Sequence, residues 1–192
     1  GRIGATALAA HAIALQTAAI LFMVPFGISL AATVRVGQAA GRRNAQGTRQ
    51  AGIAAVGLAA GFMLVMTVLV ALFRHAIPPV FLGTGVAADT AALAALLLAL
   101  GATFFLTDGI QTVAAGALRG LNDTRVPLLI AAVSYWGAGV GSGYVLGIVL
   151  EVGAVGVWIG LSIGTTVYAM LLLWRFHALT RAGYMPPVPD SP

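Results

Sequence analysis

The chain has 192 residues, of which 60% are hydrophobic and only 8% charged, with no cysteine and a formal net charge of +5. Ordinary soluble domains carry roughly 25% charged residues, so this composition excludes one and points to a polytopic membrane protein. The missing cysteines exclude disulfides, thiol catalysis and thiolate metal sites, and the basic charge is scattered among connecting segments with no basic stripe, so it reads as membrane topology and not as nucleic-acid binding.

In chain order, apolar stretches over about 5–36, 50–73, 88–118, 126–150 and 152–175 each meet the ~20 residues that a ~30 Å hydrocarbon core requires. They lack the period-2 alternation of barrel strands, and lipid offers no partner to an open backbone, so all five are expected to be helices. The fold class is therefore all-α, a polytopic membrane helix bundle over 1–183, with no room for a large soluble domain. The opening GRIGATALAA has no basic region before its short apolar core, which argues against a signal peptide, and the chain is expected to be a piece of something longer. Breakers mark the joints: Gly41 to Gly47, Pro78-Pro79 with Gly83 to Gly85, and Pro127 at a helix start, where its missing N–H matters least. The tail, 184–192, is polar and proline-rich and is expected to be disordered and cytoplasmic. Pro25 interrupts the first span and should kink it by freeing a carbonyl one turn back, with Ser29 and Thr33 near enough to satisfy that region.

Arg35, Arg42, Arg43, Arg49, Arg119, Arg125, Arg175 and Arg181 fall at alternate ends of the spans, against Arg2 and Arg74 at the others. The rule that cytoplasmic loops are basic then places the C-terminus inside and the first residue outside. Glycines recur at four-residue spacing, Gly57 and Gly61 in the second span, Gly137 to Gly143 in the fourth, Gly156, Gly160 and Gly164 in the fifth, a pattern that permits close helix approach.

Asp108 is the residue most in need of an explanation. It precedes Arg119 by eleven residues, about 16 Å along a helix, which puts it near the middle of the hydrocarbon core. An ionised carboxylate facing lipid there costs at least ~2.5 kcal/mol, so Asp108 should face the bundle interior or a wet cavity. Gln111 and Thr112, three and four residues on, share its face. Two uses fit such a cluster: a desolvated carboxyl takes up and releases a proton, or several oxygens together hold a sodium ion, making Asp108 its metal ligand; a plain hydrogen-bonded aspartate is the alternative. Gln16 and His11, five residues apart, point about 140° away from each other and form no common site; the histidine reads as a hydrogen-bonded interior residue and Gln16 as a candidate cavity-lining residue. Tyr135 and Trp136 either stack on an aromatic or cationic ligand in a cavity or belong to the bundle core. Trp158, Trp174, Phe176 and Tyr184 read as interfacial anchors, Asp123 as a helix cap and Glu151 as solvated. GxSxG, P-loop and HExxH patterns are absent, and three histidines without cysteine argue against a transition-metal centre. No enzyme and no bound cofactor are expected.

Three runs, FMVPFGISLAATVRVGQAAG (22–41), TDGIQTVAAGALRGLNDTRVPLLIAAVSYWGAGVGSGYVL (107–146) and GAVGVWIGLSIGTT (153–166), in this order closely resemble the C-terminal half of the multidrug and toxic compound extrusion (MATE) transporters. The resemblance implies an incomplete half of a twelve-helix, two-lobe transporter, the five spans standing for the eighth to twelfth helices. It implies an antiporter of the cell inner membrane that exports amphipathic or cationic drugs in exchange for Na+ or H+, with the acid of the family's D-x-x-Q setting falling on Asp108 and its companion on Gln111. The partners so implied are membrane lipid, a small-molecule substrate and the missing N-terminal lobe of the same polypeptide, with no nucleic acid. A glutamate on the family's seventh helix often works with this acid and is absent here, so the chain by itself is expected not to transport. The alternatives are a related lipid-linked precursor flippase, disfavoured because no arginine sits clearly inside a span, and a non-transporting membrane scaffold.

Overall fold

A computed structural model describes residues 5–82 and 88–184. Among the described residues there are helices and no strands: α1 (Ala5–Gly41), α2 (Ala45–Phe73), the short α3 (Ile77–Leu82), α4 (Ala88–Gly120), α5 (Arg125–Ala132), α6 (Gly141–Tyr144) and α7 (Ala154–Arg181), with α5 and α6 joined and prolonged by π-helical turns over Val133–Val140 and Val145–Val149. Leu8–Gly41, Ala45–Phe73, Arg125–Val149 and Ala154–Arg181 are each long and apolar enough to cross a membrane, and α4 makes a fifth span as the pair Ala88–Gly101 and Phe104–Gly120, bent by 44°. The expected boundaries shift outward at three ends: the first span continues a further turn to Gly41, the second begins at Ala45, and the last runs on to Arg181. Arg35 lies within α1, six residues before its end, and is exposed. The expected tail, apart from Tyr184, lies outside the described residues.

Helix ends are built from local rules. Arg43, Asn122 and Gly183 take positive φ (57°, 59° and 64°) directly past α1, α4 and α7, and the following N–H in each case bonds the carbonyl five residues back: Asn44 to Ala39 at 3.0 Å, Asp123 to Leu118 at 3.0 Å, Tyr184 to Leu179 at 3.0 Å. This is the left-handed stop that satisfies otherwise orphaned carbonyls. Asn44 then caps α2 by accepting from the Gly47 N–H at 2.8 Å. The expectation that Asp123 caps a helix is corrected: the residue before α5 is Thr124, which makes no side-chain cap bond, and Asp123 accepts instead from Arg175 Nε at 2.8 Å.

α4 is the centre of the bundle, packed most extensively on α1 and then on α7. α1 and α4 run parallel, for Ser29 Oγ donates to the Thr112 carbonyl (2.8 Å) and Thr33 Oγ1, one turn on, to the Gly116 carbonyl (2.9 Å). The approach is close because Gly116 and Gly120 carry no side chain: a Cβ at Gly116 would lie 2.3 Å from Ser29 Oγ, and one at Gly120 2.7 Å from the Thr33 carbonyl. Ser29 and Thr33 thus serve α4, not the carbonyl freed by Pro25. The fourth span and α7 run antiparallel with glycines facing: Gly139 against Gly164, Gly143 against Gly160, Gly147 against Gly156. Gly57, Gly61, Gly137 and Gly141 by contrast have nothing within 4 Å of a Cβ, so the four-residue pattern marks contacts at some of its glycines only. The π turns, with hydrogen bonds reaching five residues back, widen the helix and so offset the roughly 40° by which an α-helix would rotate Gly139, Gly143 and Gly147 at each step.

Two apolar clusters hold the two ends. One joins Ala10, Ile13 and Ala14 of α1, Val70 of α2, Leu97 and Phe105 of α4 and Trp158 of α7. The other joins Val36 and Ala40, Leu118 and Leu121, Leu172 and Phe176 at the arginine-rich end. Phe176 and Trp158, expected as interfacial anchors, are core residues, 5% and 1% exposed. Trp174 is 66% exposed, and Leu72, Leu128 and Val133 are exposed to about the same degree, as suits side chains that face lipid.

Candidate functional site

On α4, Asp108 lies between the stretch that enters one apolar cluster, ending at Phe105, and the stretch that enters the other, beginning at Ala114. Its orientation follows from its neighbours. Gly109 faces Pro25 of α1 and Met63 of α2, since a Cβ there would lie 3.4 Å from the proline ring and 2.4 Å from Met63 Cγ. Thr107 donates to the Phe104 carbonyl (3.1 Å) and meets Thr165 Oγ1 of α7 at 3.2 Å. At 100° per residue, Asp108 and Gln111 occupy the strip between these two contact faces.

The pair is joined as the i, i+3 spacing allows: Gln111 Nε2 donates to Asp108 Oδ1 at 2.8 Å. Gln111 is buried and Asp108 half-buried. Thr112 contributes less than expected. Its hydroxyl stands 3.5 Å from Gln111 Nε2, at the limit of a hydrogen bond, and its carbonyl is the acceptor for Ser29. Tyr135 comes within electrostatic reach of Asp108 and packs on Tyr168 with ring centroids 5.4 Å apart. Among the described residues no arginine or histidine lies within ion-pairing distance of Asp108, the ion pair found being Arg175–Asp123, and no group of three or more metal-binding side chains occurs.

The other candidates fall elsewhere. Trp136 is 75% exposed, turned away from the side of the helix where Tyr135 meets α7, so it lies outside the core. Gln16 is exposed while its neighbour Thr17 is buried and donates to the Ile13 carbonyl at 2.9 Å. His11 is hydrogen-bonded as expected: Trp158 Nε1–H donates to its Nδ1 at 3.1 Å, the rings meeting edge-on with centroids 5.7 Å apart. Sequence reasoning missed this link because a tryptophan near a span end has the same local signature whether it anchors in the interface or turns inward. Ser134 is fully buried with its hydroxyl unpartnered, at the start of the π-helical turns, and had no signal in the sequence. In chemical terms the Asp108 strip offers one carboxylate, one amide and a nearby phenol, without a fixed counter-charge.

Comparison with known proteins adds the family. A family model described as MatE matches residues 1–145. The chain is 59% identical over 177 residues to the probable multidrug resistance protein NorM of Rhodopseudomonas palustris, 92% of this chain and 37% of that one. It is 52% identical over 182 residues to that of Bradyrhizobium diazoefficiens, 94% of this chain and 39% of that one, and 47% identical over 182 residues to the multidrug resistance protein NorM of Burkholderia vietnamiensis, with the same two coverages. The same fold recurs in the outward-facing conformation of a multidrug resistance MATE family transporter of the MOP superfamily (TM-score 0.84, 21% identity, 94% of this chain and 40% of that one) and in the eukaryotic MATE transporter AtDTX14 (TM-score 0.83, 18% identity, 93% and 40%). The chain thus spans about two-fifths of the length of the curated relatives it matches. With a multi-pass bundle of the same fold and a family match over three-quarters of its residues, the chain belongs to the MatE family.

Proposed function

We propose that this chain is part of the C-terminal lobe of a secondary active antiporter that exports amphipathic or cationic drugs against an inward flow of cations, and that Asp108 is the group on which the coupling ion loads. The observation that carries the reading is the absence, among the described residues, of any fixed cation beside this half-buried carboxyl. An ionised carboxylate away from water must be balanced; with Gln111 supplying a single N–H, the balance falls to a mobile ion. A proton needs only the acid, whereas a sodium ion needs several oxygens, of which the Asp108 strip supplies few. This favours the proton. Loading and unloading would change one charge beside α1, α7 and Tyr135, and so favour one of two lobe packings over the other, as alternating access requires. The names of the NorM relatives support the drug substrate, and their length supports a requirement for segments beyond this chain.

The test is Asp108→Asn in the longer transporter that contains this chain, reconstituted in vesicles and loaded with a fluorescent amphipathic cation. Efflux driven by a pH or sodium gradient should fall to the level of protein-free vesicles while the protein still inserts; unimpaired gradient-driven efflux would falsify the assignment. Orientation in the inner membrane, with the arginine-rich end and the C-terminus cytoplasmic, has its own check. The chain has no cysteine, so a Gly183→Cys variant should resist an impermeant thiol reagent added to intact cells and react once they are opened; labelling of intact cells would reverse the topology.

A further inference from the structure

Away from Asp108, α1 and α2 leave between them a crevice of about 400 Å³ whose lining combines an apolar bed with a charge. Ala31 and Ala32 on one side and Ala54, Ala55 and Leu58 on the other form the bed, and Arg35 stands in the same lining. The crevice exists because alanines on both helices leave space that longer side chains would fill. Arg35 lies six residues before the end of α1, about 9 Å along the axis, inside the level of Arg42 and Arg43, and it is exposed. No carboxylate among the described residues lies within ion-pairing distance of it. The acids among the described residues are placed elsewhere: Asp89 and Glu151 at the opposite ends of the spans, Asp108 in its own strip, and Asp123 on Arg175.

We propose that this crevice is a binding site for one anionic phospholipid, its phosphate held by Arg35 and one acyl chain lying along the alanine bed. A guanidinium presents paired N–H donors that match a phosphate, and its long stem lets the head rise from a helix wall to headgroup level. An anionic headgroup is preferred to a zwitterionic one because Arg42, seven residues on and so on the same side of α1, and Arg43 repel an ammonium and attract a second negative group. Basic pockets between helices at the end of a membrane bundle take lipid headgroups for these reasons. The site is separate from Asp108 and does not rest on the transport reading.

The experiment is native mass spectrometry of the protein released from mixed micelles that contain phosphatidylglycerol or, in parallel, phosphatidylcholine. One phosphatidylglycerol should be retained preferentially, and Arg35→Gln should reduce its retention about five-fold, the effect of one arginine near the membrane surface. Ala54→Phe, which fills the exposed crevice without changing the charge, should reduce it equally, and Arg49→Gln, outside the lining, should leave it intact. Equal retention of the two lipids by the unaltered protein, or undiminished retention of phosphatidylglycerol by either Arg35→Gln or Ala54→Phe, overturns the site; a loss in Arg49→Gln as large as in Arg35→Gln overturns it too, in favour of diffuse surface charge.

Discussion

Replacing Gly160 by alanine tests the packing of the fourth span on α7 at its tightest point. A Cβ at this position would lie 2.4 Å from the Cα and N of Gly143 and 2.9 Å from the Gly139 carbonyl oxygen, where ordinary contact begins at 3.4 Å. All three atoms are backbone, so no side chain can swing aside and the helices must part by about 1 Å. A gap of that size forfeits a quarter to a half of the dispersion energy at the contacts it opens, here along the ladder that includes Gly139–Gly164 and Gly147–Gly156. Overpacking of this kind costs about 1–3 kcal/mol, against which the better helix propensity of alanine returns up to ~1 kcal/mol. The net expectation is a loss of about 1–2 kcal/mol. Gly57, with nothing within 4 Å of a Cβ, is the control: Gly57→Ala should be neutral or stabilising by up to ~1 kcal/mol. Equilibrium unfolding in mixed micelles of rising sodium dodecyl sulfate content, followed by tryptophan fluorescence, reads both. If Gly160→Ala unfolds at the same detergent fraction as the unaltered protein, or if Gly57→Ala is equally damaging, the facing-glycine argument is wrong.

Other outcomes follow from single contacts. Trp158→Phe and His11→Ala should each destabilise, and a double-mutant cycle should return a coupling of about 0.5–1.5 kcal/mol for the indole-to-imidazole bond; additive effects would show that the bond contributes nothing. Arg43→Gly should stabilise by about 1 kcal/mol, because Arg43 holds a φ of 57° that glycine adopts without a Cβ clash, and a lower unfolding midpoint would refute that reading of the α1 stop. Asp123→Asn should cost about 1 kcal/mol or less and lose its effect at high salt, as an ion pair with Arg175 31% exposed should; a cost that salt leaves unchanged would mean that the contact acts as a neutral hydrogen bond.

The spans were legible because lipid demands long apolar helices whatever their neighbours, and the link between Asp108 and Gln111 because residues three apart share a face on any helix. The choice of inward face was not. In a soluble helix the buried stripe is apolar and the rest polar; in a membrane bundle lipid is as apolar as the core, so Trp136, which is exposed, and Trp158, which is buried, sit in similar sequence surroundings. The same ambiguity separates Gly57 from Gly160, and only the partner helix decides between them. Asp123 reads as a cap because it precedes a helix in sequence, while its ion-pair partner Arg175 is 52 residues distant along the chain. In sequence, Ser29 and Thr33 point to the proline kink because that need is visible nearby, and the carbonyls of α4 that receive their hydroxyls carry no sequence signal.

That last contact has a consequence for how such bundles tolerate change. The hydroxyls of α1 dock onto main-chain oxygens, which every residue type provides, so the partner helix is recognised without any particular side chain being required of Thr112. What the docking does demand is bare backbone at Gly116 and Gly120. Mutational drift along this face of α4 is therefore governed by bulk and not by polarity, and a scan that substitutes each position by alanine should find its most damaging steps where a methyl is added instead of where a functional group is taken away.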